Sequence, residues 1–304
     1  MFIESELQEL RRQRFAPPAM LAYARSLSRN IRAQWDANPG AVRSVWSVAL
    51  LFFAVDFVAS AAVAFWLEPH LGVDLFVITA AVILVSFAGV SASTDLLRNR
   101  EGFRLSAINV PIALTLLRLA MLPGILLLLL ERRFVVALWC FVVAALSDVA
   151  DGAIARRWDQ CTPLGTVLDP FVDIAFNLTL FAGLYVADLL PGWAFAMAVL
   201  RYGILLVGGA WLYLFVGPIK IQPTLFGRLT GVVMSALIGF LALLHAVRGP
   251  LAARLVPLTE TALGVLLAAT VAQVIVLGWH NLRVMTGRVE SAGRVVGDVR
   301  WSGH

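Results

Sequence analysis

A short stretch near the middle of the chain carries four aspartates within mostly apolar sequence. They are Asp148, Asp151, Asp169 and Asp173, and the residues before them (FVVAALS) and after them (IAFNLTLFAGLYV) are largely apolar. A charged side chain inside an apolar membrane helix costs about 2.5 kcal/mol or more, so such residues are rare and usually functional. Four carboxylates this close need compensating positive charge, and the neighbouring sequence supplies few cations.

The spacing of the aspartates predicts two pairs that face each other. Residues three or four apart share one face of a helix, which groups Asp148 with Asp151 and Asp169 with Asp173. A short loop joins the two helices, so both pairs can converge on one cavity. Hard divalent cations such as Mg²⁺, Mn²⁺ and Ca²⁺ prefer oxygen ligands. Two such ions can stabilise the attacking and leaving oxygens of a phosphoryl-type displacement.

Small residues beside the aspartates leave room for a ligand close to the backbone. Gly152 and Ala155 reduce the bulk of the first helix, and Gly165 does the same on the second. Arg156 follows at once, and its planar guanidinium is suited to a phosphate group. The sequence therefore favours phosphate chemistry at the adjoining ends of two helices.

Membrane helices must position these residues. The chain has 304 residues, of which 60% are hydrophobic and 14% are charged, whereas a soluble domain carries about 25% charged residues. Apolar runs of about 20 residues indicate transmembrane spans, and they predict an all-α, polytopic membrane bundle. The predicted spans are eight in number and cover residues 44–67, 71–92, 109–130, 134–156, 163–187, 192–216, 226–247 and 258–282.

Arginine is distributed unevenly among the segments between these spans. Positively charged residues are retained on the cytoplasmic side of a membrane, which predicts that both termini and the loop 157–162 are cytoplasmic. The opposite loops hold only Arg132, Arg133, Arg248 and Arg254. The formal net charge of +5 is thus explained by membrane sidedness, and no nucleic-acid partner is expected.

Polar segments flank and separate the spans. Residues 1–43 form an arginine-rich arm, which fits either an amphipathic helix on an anionic leaflet or a solvated, partly disordered tail. Residues 94–106 form a charged cytoplasmic linker, and residues 286–304 form a tail that is expected to be flexible. Asp56, inside the first span, is expected to pair across helices or to face a cavity.

The aspartates and their small neighbours resemble the complete signature of the CDP-alcohol phosphotransferase family. That signature reads here Asp148-x-x-Asp151-Gly152-x-x-Ala155-Arg156, then eight residues, then Gly165-x-x-x-Asp169-x-x-x-Asp173, and all eight fixed positions match. The resemblance implies a six-helix core over residues 107–285. The two spans in residues 44–93 would then be accessory transmembrane helices.

The resemblance also implies a reaction, in which a phosphatidyl group passes from CDP-diacylglycerol to an alcohol and CMP is released. Two divalent ions, Mg²⁺ or Mn²⁺, would be held by Asp148, Asp151, Asp169 and Asp173. Asp173 would also be the general base on the acceptor hydroxyl. The CDP pocket would be formed by Asp148, Asp151, Gly152, Ala155, Arg156, Thr162 and Gly165. A homodimer in contact with membrane lipids, in a bacterial inner membrane, is expected on the same ground.

Outside the signature, the chain resembles the phosphatidylglycerophosphate synthase and cardiolipin synthase branch, in the run 109–118 and around Arg201. Arginine recognises phosphate in a planar, bidentate way. The residues Arg118, Arg201 and Arg228 are therefore expected to line an anionic acceptor site suited to glycerol 3-phosphate. Arg228 has an alternative interpretation, as a positively charged residue of a cytoplasmic segment.

Other interpretations of the acceptor site remain open. Arg201 could instead snorkel or pair with Asp56 or Asp188. Ile174 and Ile112 depart from the pattern of the branch, so phosphatidylglycerol, an inositol phosphate or another alcohol are alternative acceptors. For the whole chain, the rival classes are a polytopic transporter or channel and a catalytically inactive structural relative.

Overall fold

The computed structural model describes residues 16–211, 225–247 and 249–285, with only the backbone given for 225–228, 246 and 280–285. Within these ranges the chain is helical, and its only β-pairing is one isolated bridge. The described helices are α1 Pro17–Ala37, α2 Pro39–Trp66, α3 Pro69–Ala92, α4 Val110–Leu130, α5 Phe134–Arg157, α6 Pro163–Val186, α7 Gly192–Trp211, α8 Leu225–Val247 and α9 Pro250–Met285. The predicted all-α bundle is confirmed.

Seven of the described helices, α2 to α7 and α9, are long and apolar enough to cross a membrane. The remaining predicted span, 226–247, is the seventh along the chain and coincides with α8, whose described apolar section is the shorter Leu229–His245. The last helix was predicted too short, because α9 begins at Pro250 rather than at residue 258. Proline suits the first position of a helix, so α9 starts ahead of its apolar stretch. The predicted flexible tail, 286–304, lies outside the described residues.

Polar caps fix the starts of three helices that bear on the site. The Asn38 side chain accepts a hydrogen bond from the backbone N–H of Ala41 at 3.2 Å. Asn109 caps α4 in the same way, at 3.3 Å from Ile112 N. Thr162 caps α6 through its Oγ1, which lies 3.1 Å from Gly165 N. Such caps satisfy backbone donors that have no partner inside the helix.

The described part of the N-terminal arm is helical, which agrees with the first of its two interpretations. α1 carries the exposed apolar residues Met20 and Leu21. Its Trp35 donates a hydrogen bond from Nε1 to the carbonyl of Ser91 at 2.8 Å, and this contact ties α1 to the end of α3. The location of α1 on a membrane surface stays a prediction, and residues 1–15 lie outside the described ranges.

Two buried clusters hold the helices together, and α4 contributes to both. The larger cluster contains residues from each of the helices α4 through α9, among them Leu129, Phe181 and Leu267. The smaller cluster packs α2 and α3 against α4 and includes Phe87 and Ile112. Because α4 lies between the α2–α3 pair and the rest of the bundle, its position is constrained from both sides.

The charged linker between α3 and α4 folds into a small hairpin. Arg98 and Arg104 form an isolated antiparallel bridge, and Gly102 at the turn has a φ of 85°, which glycine adopts without steric cost. The hairpin also reaches the loop 158–162, because Arg100 Nη1 lies 2.9 Å from Asp159 Oδ1. The linker therefore connects the end of α3 to the turn between α5 and α6.

Candidate active site

The structure brings both aspartate pairs together against one face of α4. Asp148 and Asp151 lie on α5, and Asp169 and Asp173 lie on α6. The side chains of Asp148 and Asp173 are about half exposed, at 50% and 54%, whereas that of Asp151 is buried at 10%. The predicted convergence of two helix faces is thus observed, and α4 closes the buried side of the cluster.

Arg118 of α4 is the cation that the sequence around the aspartates lacked. Its side chain is only 2% exposed, and it forms ion pairs with Asp148 and, at 2.8 Å, with Asp173. One nitrogen, Nη1, donates to the Oδ1 atoms of both. The other terminal nitrogen, Nη2, lies 3.6 Å from Asp151 Oδ2. A buried guanidinium therefore offsets part of the negative charge of three carboxylates.

Thr115, one helical turn before Arg118, contacts Asp151 and Asp169. Its Oγ1 lies 3.3 Å from Asp151 Oδ2 and 3.2 Å from Asp169 Oδ1. The carbonyl of Pro111, at 3.0 Å, is a third acceptor. A hydroxyl carries a single proton, so three acceptors share one donor. Thr115 thereby links α4 to both α5 and α6.

The predicted CDP-binding residues lie around the turn between α5 and α6. A Cβ atom added at Gly152 would come within 3.2 Å of Arg156 Nη1, so the arginine side chain occupies the space that glycine leaves open. Thr162 is buried and caps α6. Gly165 has more room, since a Cβ there would meet only Thr162 Oγ1, at 3.4 Å. Gly152, Ala155 and Gly165 are the small residues on the two helices that carry the aspartates.

Arg201 of α7 is buried in the bundle and is 9% exposed. Its Nη1 donates to the Tyr202 hydroxyl at 2.8 Å and approaches Met234 Sδ at 3.4 Å. Among the described residues, its buried Nε has no hydrogen-bond partner. A π-helical turn, Ile204–Gly208, follows directly, and π-bulges often occur at functional sites.

Neither alternative ion pair of Arg201 is observed. Asp188 instead pairs with Arg132 at 3.0 Å. Asp56 accepts a hydrogen bond at 3.3 Å from Ser60 of its own helix, so the expected pairing across helices is also not found in the described part of the chain. The side chain of Arg228, which was predicted to bind the acceptor, lies outside the described residues.

The side chains of the cluster fit a hard divalent cation, because the atoms they offer as metal ligands are carboxylate and hydroxyl oxygens. Within the described ranges, however, no group of three or more His, Cys, Asp and Glu side chains is arranged to hold an ion. Arg118 and Thr115 instead engage one oxygen of each carboxylate. The second oxygen of each carboxylate lies outside these contacts and is the atom that could ligate an ion.

Sequence analysis did not identify Thr115 as a functional residue. The available signal was its spacing from Arg118, since residues three apart share a helix face and both are polar in an apolar helix. Arg118 was predicted to bind the acceptor, whereas its contacts here are to the carboxylates. Its role toward an acceptor stays a prediction.

The fold and the site together define a membrane-embedded helical protein. Carboxylate and hydroxyl side chains from three of its helices form a polar centre. The model of the family named CDP-alcohol phosphatidyltransferase matches residues 108–280, which are more than half of the chain. The chain belongs to this family, and it is an integral membrane protein. Both conclusions confirm what the signature and the apolar spans predicted.

Curated relatives come from the branch that the sequence indicated. Cardiolipin synthase (CMP-forming) of Rattus norvegicus is 41% identical over 84 residues, which are 27% of this chain and 28% of that protein. The protein of the same name in Streptomyces coelicolor is 37% identical over 106 residues, 33% of this chain and 49% of that protein. CDP-diacylglycerol–glycerol-3-phosphate 3-phosphatidyltransferase of Aquifex aeolicus is 31% identical over 129 residues, 42% of this chain and 71% of that protein.

The two cardiolipin synthases are covered over less than half of their length. The similarity to them therefore concerns one segment of each protein. No solved structure matches the chain at a significant level.

Proposed function

We propose that this protein transfers a phosphatidyl group from CDP-diacylglycerol to an alcohol acceptor and releases CMP. The observation that carries the proposal is the convergence of Asp148, Asp151, Asp169 and Asp173 on Thr115 and Arg118 of α4. These residues all lie inside the segment that matches the family. The names of the relatives support the same reaction class.

In this reaction the acceptor hydroxyl oxygen attacks the phosphorus of the phosphatidyl group. The bond from that phosphorus to the bridging oxygen of the pyrophosphate breaks, and CMP leaves with its electron pair. Asp173 accepts the hydroxyl proton, which a carboxylate can do within hydrogen-bond reach. Two ions, Mg²⁺ or Mn²⁺, held by the four aspartates would offset negative charge on the pyrophosphate.

The CDP part of the donor would bind at the turn between α5 and α6. Gly152 has no side chain on that surface of α5, and the Arg156 guanidinium lies against Gly152. From there Arg156 would bind a phosphate of the donor. Thr162 and Gly165 form the facing start of α6. The acyl chains of the donor would remain in lipid, because the cluster opens beside apolar helices that span the membrane.

Arg201 supports an acceptor that carries a phosphate group. Its buried guanidinium contacts the neutral groups of Tyr202 and Met234 and has a buried Nε without a partner among the described residues. A buried cation of this kind is stabilised by an anionic ligand. Glycerol 3-phosphate is our first choice. Phosphatidylglycerol is the second, since cardiolipin synthases are among the relatives.

The proposal includes a location and an assembly. The arginines of the hairpin and of the α5–α6 turn lie at one end of the bundle, which supports a cytoplasmic site in a bacterial inner membrane. A homodimer is proposed from the family resemblance alone.

An acceptor screen tests the proposal. Full-length protein in detergent receives labelled CDP-diacylglycerol and Mg²⁺ or Mn²⁺, and CMP release is measured with glycerol 3-phosphate, phosphatidylglycerol, inositol phosphate or serine. We expect release with glycerol 3-phosphate and a loss of several orders of magnitude in Asp173→Asn. Asp188→Asn, which alters an exposed aspartate paired with Arg132, is the control and should remain active.

The screen also separates the rival interpretations. Release with a different acceptor alone would overturn the choice of glycerol 3-phosphate and leave the reaction class intact. Absence of release with every acceptor would reject the reaction and favour a transporter or an inactive relative.

A further inference from the structure

We infer that Thr115 and Arg118 form a platform that orients all four aspartates for divalent-cation binding. This inference deepens the proposed function and rests on it, because it assigns the two α4 residues a positioning role at the same site. Neither residue would need to touch the substrate. Each would act through the carboxylates, by fixing which oxygen of each carboxylate is presented to a ligand.

The contacts divide the eight carboxylate oxygens into two sets. The platform holds one oxygen of each aspartate, namely Asp148 Oδ1, Asp151 Oδ2, Asp169 Oδ1 and Asp173 Oδ1. No aspartate offers both of its oxygens to Thr115 and Arg118 in these contacts. The remaining oxygen of each aspartate lies outside these contacts and is therefore available to a ligand.

Thr115 and Arg118 are more deeply buried than the aspartates that they contact, so their side chains are more constrained. Thr115 and Arg118 are 1% and 2% exposed, whereas the side chains of Asp148 and Asp173 are 50% and 54% exposed. Ile112 and Leu116, which flank Thr115 on α4, are each 1% exposed and belong to the cluster shared with α2 and α3. The oriented carboxylates are thus anchored to a helix that is packed on two sides.

The two residues contribute in different ways. Arg118 supplies a charge and a planar guanidinium whose Nη1 donates to two carboxylates while Nη2 lies 3.6 Å from a third, a geometry that lysine cannot reproduce. Thr115 supplies a neutral hydroxyl that lies between α5 and α6. Partners that hydrogen-bond to metal-ligating groups fix their orientation, and their loss typically lowers metal affinity by about 10–100-fold.

Direct measurement of Mn²⁺ binding tests the platform without relying on catalysis. Full-length protein in detergent is titrated with Mn²⁺ alone, and free Mn²⁺ is followed by electron paramagnetic resonance. We expect Thr115→Val and Arg118→Lys to weaken binding by about 10–100-fold. Thr115→Ser keeps the hydroxyl and should bind Mn²⁺ within about twofold of the unmodified protein.

Thr270→Val is the matched control for loss of a buried hydroxyl. Thr270 lies on α9, is fully buried, and donates to the carbonyl of Leu267 at 2.9 Å, away from the aspartates. Its substitution should leave Mn²⁺ affinity unchanged. Thermal unfolding of each variant verifies that the bundle is intact. For a positioning role, CMP release by Thr115→Val should recover at high Mn²⁺, with a raised half-saturating concentration of the metal.

Each outcome separates the platform from the proposed function. Unchanged Mn²⁺ affinity in both Thr115→Val and Arg118→Lys would overturn the platform, and so would an unmodified protein that binds no Mn²⁺. Either result leaves the phosphatidyl transfer to be judged by CMP release. Weakened Mn²⁺ binding in the variants supports the platform even if the acceptor screen gives no product.

Discussion

The polar centre depends on a small number of side chains that have few substitutes. Arg118 carries one positive charge and lies beside three carboxylates, Asp148, Asp151 and Asp173. Removing one partner from a buried ion pair leaves uncompensated charge, which typically costs about 3–5 kcal/mol. The cluster is therefore sensitive to the chemistry of single residues. Substitutions that keep the size of a side chain but remove its charge or its hydrogen-bonding group are the informative ones.

At the residue scale, Gly152 tests whether the space beside Arg156 is used by the donor. In Gly152→Ala the new methyl group would lie 3.2 Å from Arg156 Nη1, so the arginine must shift. The required shift is a few tenths of an ångström, which is smaller than the displacement of about 1 Å that can cost about 100-fold. We expect the KM for CDP-diacylglycerol to rise severalfold, up to about tenfold, with a smaller change in kcat, in steady-state assays of CMP release.

Gly89→Ala is the matched control for this substitution. Gly89 is also helical, on α3, and an added Cβ there would meet no heavy atom within 4 Å. Unchanged KM values in both variants would show that the space beside Arg156 does not serve the donor.

At the element scale, the hairpin of the linker is expected to hold the turn between α5 and α6. Arg100 pairs with Asp159 at 2.9 Å, and Asn109 donates to the carbonyl of Gln160 at 2.7 Å. The ion pair is exposed, at 57% and 66%, so it adds only about 0–1 kcal/mol to stability. Its effect should therefore be seen in the position of the turn, beside Thr162, rather than in unfolding.

A charge exchange tests this connection. Arg100→Asp should raise the KM for CDP-diacylglycerol severalfold, because two like charges would face each other at the turn. The double variant Arg100→Asp with Asp159→Arg should restore the KM, and added salt should reduce the difference between the single and double variants. A double variant that performs no better than the single one would contradict the connection.

The spacing of residues along the chain predicted the elements and the two aspartate faces. Asp148 and Asp151 lie three apart, Asp169 and Asp173 four apart, and helical periodicity is enough to group them. Apolar length predicted the spans for a similar reason, since the membrane sets the length of a crossing helix. Helix ends were less predictable, as α9 shows, because Pro250 starts a helix before its apolar section.

The contacts of α4 were not predictable in the same way. Thr115 and Asp151 are 36 positions apart, and Arg118 and Asp173 are 55 apart. No local periodicity relates residues at such separations, so only the packing of α4 against α5 and α6 brings them together. The sequence likewise predicts only a charged linker where the hairpin lies. The contact between Arg100 and Asp159 arises from the tertiary arrangement, which local sequence does not reveal.

At the scale of the whole molecule, the two ends of the bundle differ in charge and chemistry. One end carries the hairpin, the turn between α5 and α6, and the carboxylate cluster. The opposite end carries the loop between α4 and α5, where Arg132 pairs with Asp188. The arginine distribution predicts that the first end is cytoplasmic, and a donor headgroup made in the cytoplasm would then meet the cluster directly.

Two introduced cysteines test this orientation. Glu101→Cys in the hairpin and Glu131→Cys in the loop after α4 replace exposed residues of the same type at opposite ends of the bundle. A membrane-impermeant maleimide should label Glu131→Cys in right-side-out vesicles and Glu101→Cys only in inverted vesicles, with the unmodified protein as the background. Because a helical bundle cannot expose both ends on one side, the reversed labelling pattern would place the carboxylate cluster outside the cytoplasm. A cytidine nucleotide donor could not then reach it from the compartment in which such donors are made, and the proposed reaction would lose its substrate.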